Sequence, residues 1–146
     1  YLDWINDKVK LQLKAKVYSE NKNRDNKHLH PLKPRRGDIY LAEMGQNIGS
    51  EINKQHLVLI MQNDKGNMYG DTVVIIPISS SGNLYKTHQK IEEKDIKSGK
   101  LNKLPSKAKT EQIHYLDKAR LIHKVAILED ECMNNICNRL KKNLCL

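Results

Sequence analysis

Hydrophobic positions are densest in two short runs near the middle of the chain. Leu57 to Met61 is one, and Thr72 to Ile78, rich in β-branched side chains and interrupted only by Pro77, is the other. Runs of this length bounded by polar residues predict strands buried on both faces, as the centre of a barrel or sandwich requires. Between them, QNDKGNMYGD contains Asn, Asp and two glycines, residues that suit turns, and predicts a ten-residue connection. Asp38 to Ala42 reads as a further strand, left through the loop GQNIGSE.

Elsewhere the period changes. Leu2, Ile5, Val9, Leu13 and Val17 recur at steps of three and four, the stripe of an amphipathic helix. Val9, Leu11, Leu13, Ala15 and Val17 also alternate with Lys and Gln as in a strand, but the intrinsic preferences of Lys, Leu, Gln and Ala select the helix. Trp4, Leu11 and Tyr18 fall on its other side, so the helix has two faces to satisfy. A second chain or a partner is a candidate for one of them; the alternative, which the sequence favours, is an ordinary helix packed on its own domain. Ser19 to Pro34 is polar and reads as a linker in which His28 and His30 are solvated rather than metal-binding.

After Gly82 the chain is mostly polar. THQKIE (87–92) predicts a short strand, 95–103 a loop or helical turn, Lys107 to His114 an edge strand, then a turn at Asp117-Lys118 and a strand from Arg120. From Glu129, Cys132, Met133, Ile136, Leu140 and Leu144 have helical spacing, with acids first and Arg139, Lys141 and Lys142 late, as the helix dipole favours. Five to seven short strands with a helix at each end predict an α+β fold, mainly β: a small, strongly bent sheet or barrel. The organisation expected is a helix and polar linker at 1–34 followed by a barrel domain at 35–146.

Composition narrows the function classes. The 146 residues suffice for one domain with a real core, and with no Phe that core must be Ile, Leu and Val. No apolar stretch approaches the roughly 20 residues of a membrane helix, and the N-terminal residues lack a signal peptide's apolar block. No membrane association is expected. Three cysteines crowded into the C-terminal segment fit core positions in a reducing cytoplasm better than a disulfide framework. Two of them five apart, without a second pair, make a weak zinc signal, so no metal and no cofactor are expected. The net charge of +9 favours a polyanionic partner. It is unevenly placed: 1–36 carry ten Lys or Arg against four acids, 82–109 eight against three, and 37–81 only two against five. Basic flanks around a nearly neutral core suit a groove that attracts phosphate. Aromatics, at 5%, are too few for a base-stacking platform.

Over about residues 35–146 the chain resembles the MazF/PemK family of toxin endoribonucleases from toxin–antitoxin modules. RRGDIYLAE is similar to the family's opening strand, GQNIGSE to its first active-site loop, and LVLIMQND with the following GN to its second strand and turn. DTVVIIPISS resembles the strand that ends at a catalytic hydroxyl. KTEQIHYLDKARL is similar to the segment with the Gln-Ile and Asp-Lys-x-Arg-Leu signatures, and LEDECMNNI to the start of the closing helix. The first 34 residues resemble the N-terminal extension of some Gram-positive members. The resemblance implies an SH3-like β-barrel of the MazF/PemK/CcdB type and a homodimer. It also implies metal-free cleavage of single-stranded RNA by 2′-OH attack and a cognate antitoxin whose acidic tail blocks the groove. Because a gyrase-directed toxin shares the fold, the alternative class is a binding module: a weakened, antitoxin-binding or regulatory member, or a protein-directed poison.

Such cleavage needs a base for the 2′-OH, stabilisation of the pentavalent phosphate and an acid for the 5′ oxygen, services that His, Lys, Arg and hydroxyls supply. The resemblance places Ser79 at the catalytic hydroxyl and His56 where the family has an Arg, with Leu57 where a proline is usual. Arg is permanently charged, whereas His loses its charge near neutral pH. Three readings stay open: His56 is itself the acid or base; Lys54, His114 or Arg36 provides the missing charge; or the nuclease is weakened. Ser50, Glu51 and Gln112 match motif positions and are RNA-binding candidates. Asp117 and Arg120 read as structural.

Overall fold

The computed structural model describes residues 2–45 and 55–146, with side chains from Ile5 onward. The elements are α1 (Leu2–Arg24), β1 (Asp38–Glu43), β2 (Gln55–Ile60), α2 (Asp64–Tyr69), β3 (Thr72–Ser79), β4 (His88–Ile91), β5 (Ile96–Gly99), β6 (Ser106–Lys109), β7 (His114–Asp117), β8 (Leu121–Leu128) and α3 (Asp130–Asn143). The strands form one curled antiparallel sheet, a half-barrel in the order β4-β6-β3-β2-β1-β8-β5, with β7 also paired to β3.

Strand β3 is the hub. One edge pairs with β2, Leu57 opposite Ile78 and Ile60 opposite Ile75. The other pairs first with β7, up to Ile75 opposite His114, and then with β6 from Ile78 opposite Ala108. Pro77 sits where that edge changes partner. Val74 bonds towards β2, donating to Gln62 Oε1 and accepting from Met61. By alternation, position 77 faces the gap between β7 and β6, where a missing N–H costs no ladder bond. Both faces are buried as the apolar runs predict. Leu59, Ile76 and Ile78 join Ile39, Met133 and Ile136 against α3, while Val58, Ile60, Val73 and Ile75 pack with Tyr40 and Leu121 on the opposite side.

Several local expectations need correction. The 62–71 connection folds into α2, because Asn63 Oδ1 accepts from the Gly66 N–H at 2.8 Å and caps a helical turn. Residues 96–99 form a strand rather than a loop, since they pair with the edge of β8 at Ala126–Leu128 that β1 leaves free. The Lys107–His114 segment is two strands broken by a 3₁₀ turn at Thr110–Gln112. The linker begins later than Ser19, because α1 continues to Arg24. Cys132 is a core residue, its thiol pushed up to about 12 by burial, but Cys145 is exposed. No described helix is long and apolar enough to cross a membrane.

The first helix seats on the barrel through polar groups. Lys14 Nζ donates to Leu121 O at 2.9 Å, Lys22 pairs with Asp71 at 3.3 Å, and the Tyr18 ring meets His30 edge-on at 5.0 Å. His28 is exposed as expected, but His30 is buried rather than solvated. Beneath it Lys118 is fully buried, its ammonium donating to Asn67 O. Burial pulls the Lys118 pKa from 10.5 down to about 8, with Asp71 opposing the shift.

Two predictions follow from this packing. Gly99 has φ +81°, and a Cβ there would lie 2.3 Å from Val125 O and 2.6 Å from Ala126 Cα. Gly99→Ala is expected to cost roughly 3 kcal/mol, combining left-handed strain with backbone overlap, read as a lowered urea midpoint. An unchanged midpoint would show that β5 yields easily. For Lys118, the unfolded chain still holds a proton between about pH 8 and 10.5 that the folded chain has released. Stability therefore rises with pH across that window. Urea midpoints of wild type relative to Lys118→Met should increase between about pH 7.5 and about pH 10, and parallel pH profiles would refute the assignment.

Candidate active site

An open cleft of about 580 Å³ lies at the end of the half-barrel where β2, β3, β1 and β8 terminate or bend. Its floor is apolar, from Leu41, Leu57, Ile78 and Val125. Its rim is polar, and the sheet register explains how it is assembled. Leu57 opposite Ile78 puts His56 one step further along, across from Ser79. On the other side of β2, His56 is opposite Ala42. Strand β8 then brings in His123, opposite Leu41. The two imidazoles are thus two strand spacings apart, roughly 10 Å between backbones. By alternation His123 shares the face of Leu41 while His56 shares that of Ala42, so they reach the cleft from opposite faces at the strand ends.

The second wall comes from the segment after β5. Lys100 N–H donates to Val125 O at 3.4 Å and Leu101 is buried, which holds Lys100, Asn102 and Lys103 along the cleft. Ser106 Oγ donates to Lys103 O at 2.6 Å and fixes the end of that segment. Among the described residues neither Lys100 nor Lys103 is in an ion pair.

The hydroxyl side is similarly held. Ser79 Oγ accepts from the Ser81 N–H at 3.3 Å and lies 3.2 Å from Ser81 Oγ. Lys107, paired with Ser79 on β6, donates to Asn83 O at 2.7 Å and tethers the following turn. His56 Nδ1 lies 2.9 Å from Leu57 O. A carbonyl only accepts, so Nδ1 must carry the proton in that contact, and in the neutral ring Nε2 is then a lone-pair acceptor. The cleft therefore combines two imidazoles, two ammonium groups and a set of hydroxyls, which can move protons and stabilise a phosphate's charge. Among the described residues no group of three His, Cys, Asp or Glu is arranged to hold a metal ion.

Among the described residues, two of the catalytic and RNA-binding candidates read from sequence, His56 and Ser79, line this cleft. Ser50, Glu51 and Lys54 lie outside the described residues. His114 is opposite Ile75, four residues or roughly 13 Å along β3 from Ser79, with Nδ1 2.7 Å from Gln112 O. Gln112 is half-buried on the 3₁₀ turn beside it. Arg36 is at the opposite end of β1, with its N–H on Asp64 Oδ1 and its guanidinium against Cys137 of α3. Asp117 caps the turn to Ala119, and Arg120 Nη1 donates to Glu43 O at 2.9 Å. Sequence reading missed His123, Lys100 and Lys103. The two lysines belong to the basic 82–109 segment already marked as a flank, without being named there. His123 had only its type as a signal, because the register shifts between β1 and β8 decide which β8 side chains meet the cleft.

Comparison with known proteins gives a consistent result. Residues 35–144 match the family described as PemK-like, MazF-like toxin of type II toxin-antitoxin system. A curated relative, Endoribonuclease MazF of Staphylococcus epidermidis, is 40% identical over 112 residues, covering 75% of this chain and 90% of the relative. Among solved structures, an endoribonuclease from Mycobacterial species superposes with a TM-score of 0.63 at 20% identity, covering 78% of this chain and 93% of that one. A MazE-MazF crystal structure from Deinococcus radiodurans gives 0.63 at 13% identity, over 78% and 98%. At those identities the structural likenesses speak for the fold.

Proposed function

Because the chain belongs to the PemK-like, MazF-like toxin family of type II toxin–antitoxin systems, we propose that it is a toxin endoribonuclease cutting single-stranded RNA without a metal ion. The observation that carries this reading is the cleft that gathers His56, Ser79, His123, Lys100 and Lys103. His56 Nε2 takes the proton of the 2′-OH, whose oxygen attacks the adjacent phosphorus. Lys100, Lys103 and the Ser79 hydroxyl stabilise the added negative charge of the pentavalent phosphate. His123 protonates the departing 5′ oxygen as the P–O5′ bond breaks. The products are a 2′,3′-cyclic phosphate and a 5′-OH. The donor chemistry supports a metal-free route, since imidazole and ammonium groups supply all three services.

The same reading extends to context. The 35–146 barrel carries the activity, and 1–34 is an accessory segment. Ser50, Glu51, Lys54 and Gln112 are further RNA-binding residues on this reading. The protein works in the cytoplasm as a homodimer, which light scattering should report as twice the 16.9 kDa chain mass. A cognate antitoxin neutralises it, a reading supported by the solved complex of a mycobacterial endoribonuclease with its cognate antitoxin and by the MazE-MazF structure from Deinococcus radiodurans.

Mixed-sequence RNA is expected to be cut equally with and without EDTA, and deoxyribose at the cut site should stop the reaction. Cleavage of the deoxy substrate would exclude 2′-OH attack, and loss of activity in EDTA would exclude the metal-free route.

His56→Ala is expected to lower the rate by roughly 10²–10⁴-fold, the usual worth of a positioned acid or base. His56→Arg separates proton transfer from charge. It should also lower activity, because a guanidinium stays charged and cannot take the 2′-OH proton. A rate raised by His56→Arg would assign His56 to charge alone. An inactive wild type made active by His56→Arg would identify a disabled nuclease, the binding-module alternative.

A further inference from the structure

The first helix presents an apolar row that its own domain does not use. Ile5, Val9, Leu13 and Val17 are 41%, 49%, 59% and 52% exposed, although their spacing reads in sequence as a buried stripe. The side turned to the barrel is another one, carrying Lys14, Tyr18 and Lys22. Steps of four build a single ridge of the kind that fits into the groove of a second helix. It is roughly 18 Å long, from the rise per residue. Isolated exposed apolar side chains are ordinary, but a contiguous row marks an interaction surface. This row lies outside the family match at 35–144, so the barrel fold does not account for it.

Charge identifies the occupant. With Lys14 and Lys22 engaged by the barrel, α1 still exposes Lys8, Lys10, Lys16 and Arg24 against Asp7 and Glu20, a basic excess. We propose that this ridge docks an acidic amphipathic helix of another protein, its apolar residues on Val9 and Leu13 and its carboxylates on the flanking lysines. A second copy of α1 fits poorly, because it would bring the same basic flanks together. A membrane surface also fits poorly. Interfacial helices bury a broad face carrying aromatic residues, whereas this ridge is one residue wide and Tyr18 is turned to His30.

The test uses the full chain and two synthetic helical peptides of about 21 residues, long enough to span the ridge. Both carry Leu at steps of four; one has Glu at the flanking positions and the other Lys. Fluorescence anisotropy should show binding of the Glu peptide, weakened by salt, and none of the Lys peptide. The double variant Val9→Glu, Leu13→Glu should weaken Glu-peptide binding by roughly 10–100-fold, the worth of losing two apolar contacts, while RNA cleavage stays at the wild-type rate. Circular dichroism of the variant confirms that α1 is retained. Equal binding of the two peptides, binding of neither, or indifference to the double variant would overturn the proposal. Conversion of the protein to a smaller species by the double variant would assign the ridge to self-association instead. Ridge-dependent sedimentation with phosphatidylserine vesicles would assign it to membrane. A failed peptide test would leave RNA cleavage untouched, so the two readings fail separately.

Discussion

The structure depends on the double-sided pairing of β3. With both edges hydrogen-bonded and both faces covered, it cannot shift by one residue without turning Ile76 and Ile78 away from α3 and Ile75 away from Leu121. That register sets the position of β2, which sets β1 and then β8. His56, Ser79 and His123 are on three different strands, yet each is placed by the same chain of antiparallel pairs. A proline in the hub is tolerated because its missing donor falls where one edge partner ends and the next begins.

Around this apolar hub the charge is separated from the proton-handling groups. On the proposed reading, lysines of the segment after β5 supply permanent positive charge, and imidazoles on the strands handle protons. An Arg at position 56 would have to perform both tasks near that position with a group that barely deprotonates. The arrangement also explains why Gly99 matters. Its close approach to β8 lets the chain turn at once into Lys100 and bring the cationic wall against the strands.

The attachment of α1 has a different physical character. It uses Lys14, Tyr18, Lys22 and the buried His30 and Lys118 rather than an apolar stripe. Burying Lys118 costs stability near neutral pH, partly offset by Asp71 and by its bond to Asn67 O. A polar seat on one side leaves the apolar ridge of the same helix for another molecule.

The chain alone determined the central strands, the two terminal helices and the family resemblance, because β-branched runs, helical spacing and ordered motifs are local properties. It also marked His56 and Ser79, which stand at recognisable places in those motifs. What it could not determine was which side of α1 would meet the barrel. The stripe has the right period, but the matching surface beside Leu121 and Asp71 is built from residues about 50 to 107 positions away. Nor could it separate His123 from His114. Both are histidines in polar strands near the same signatures, and only the irregular register of β8, set by simultaneous pairing to β1 and β5, turns one into the cleft while β7 holds the other apart. Local patterns choose elements; long-range pairing, which depends on the backbone geometry of distant segments, chooses neighbours.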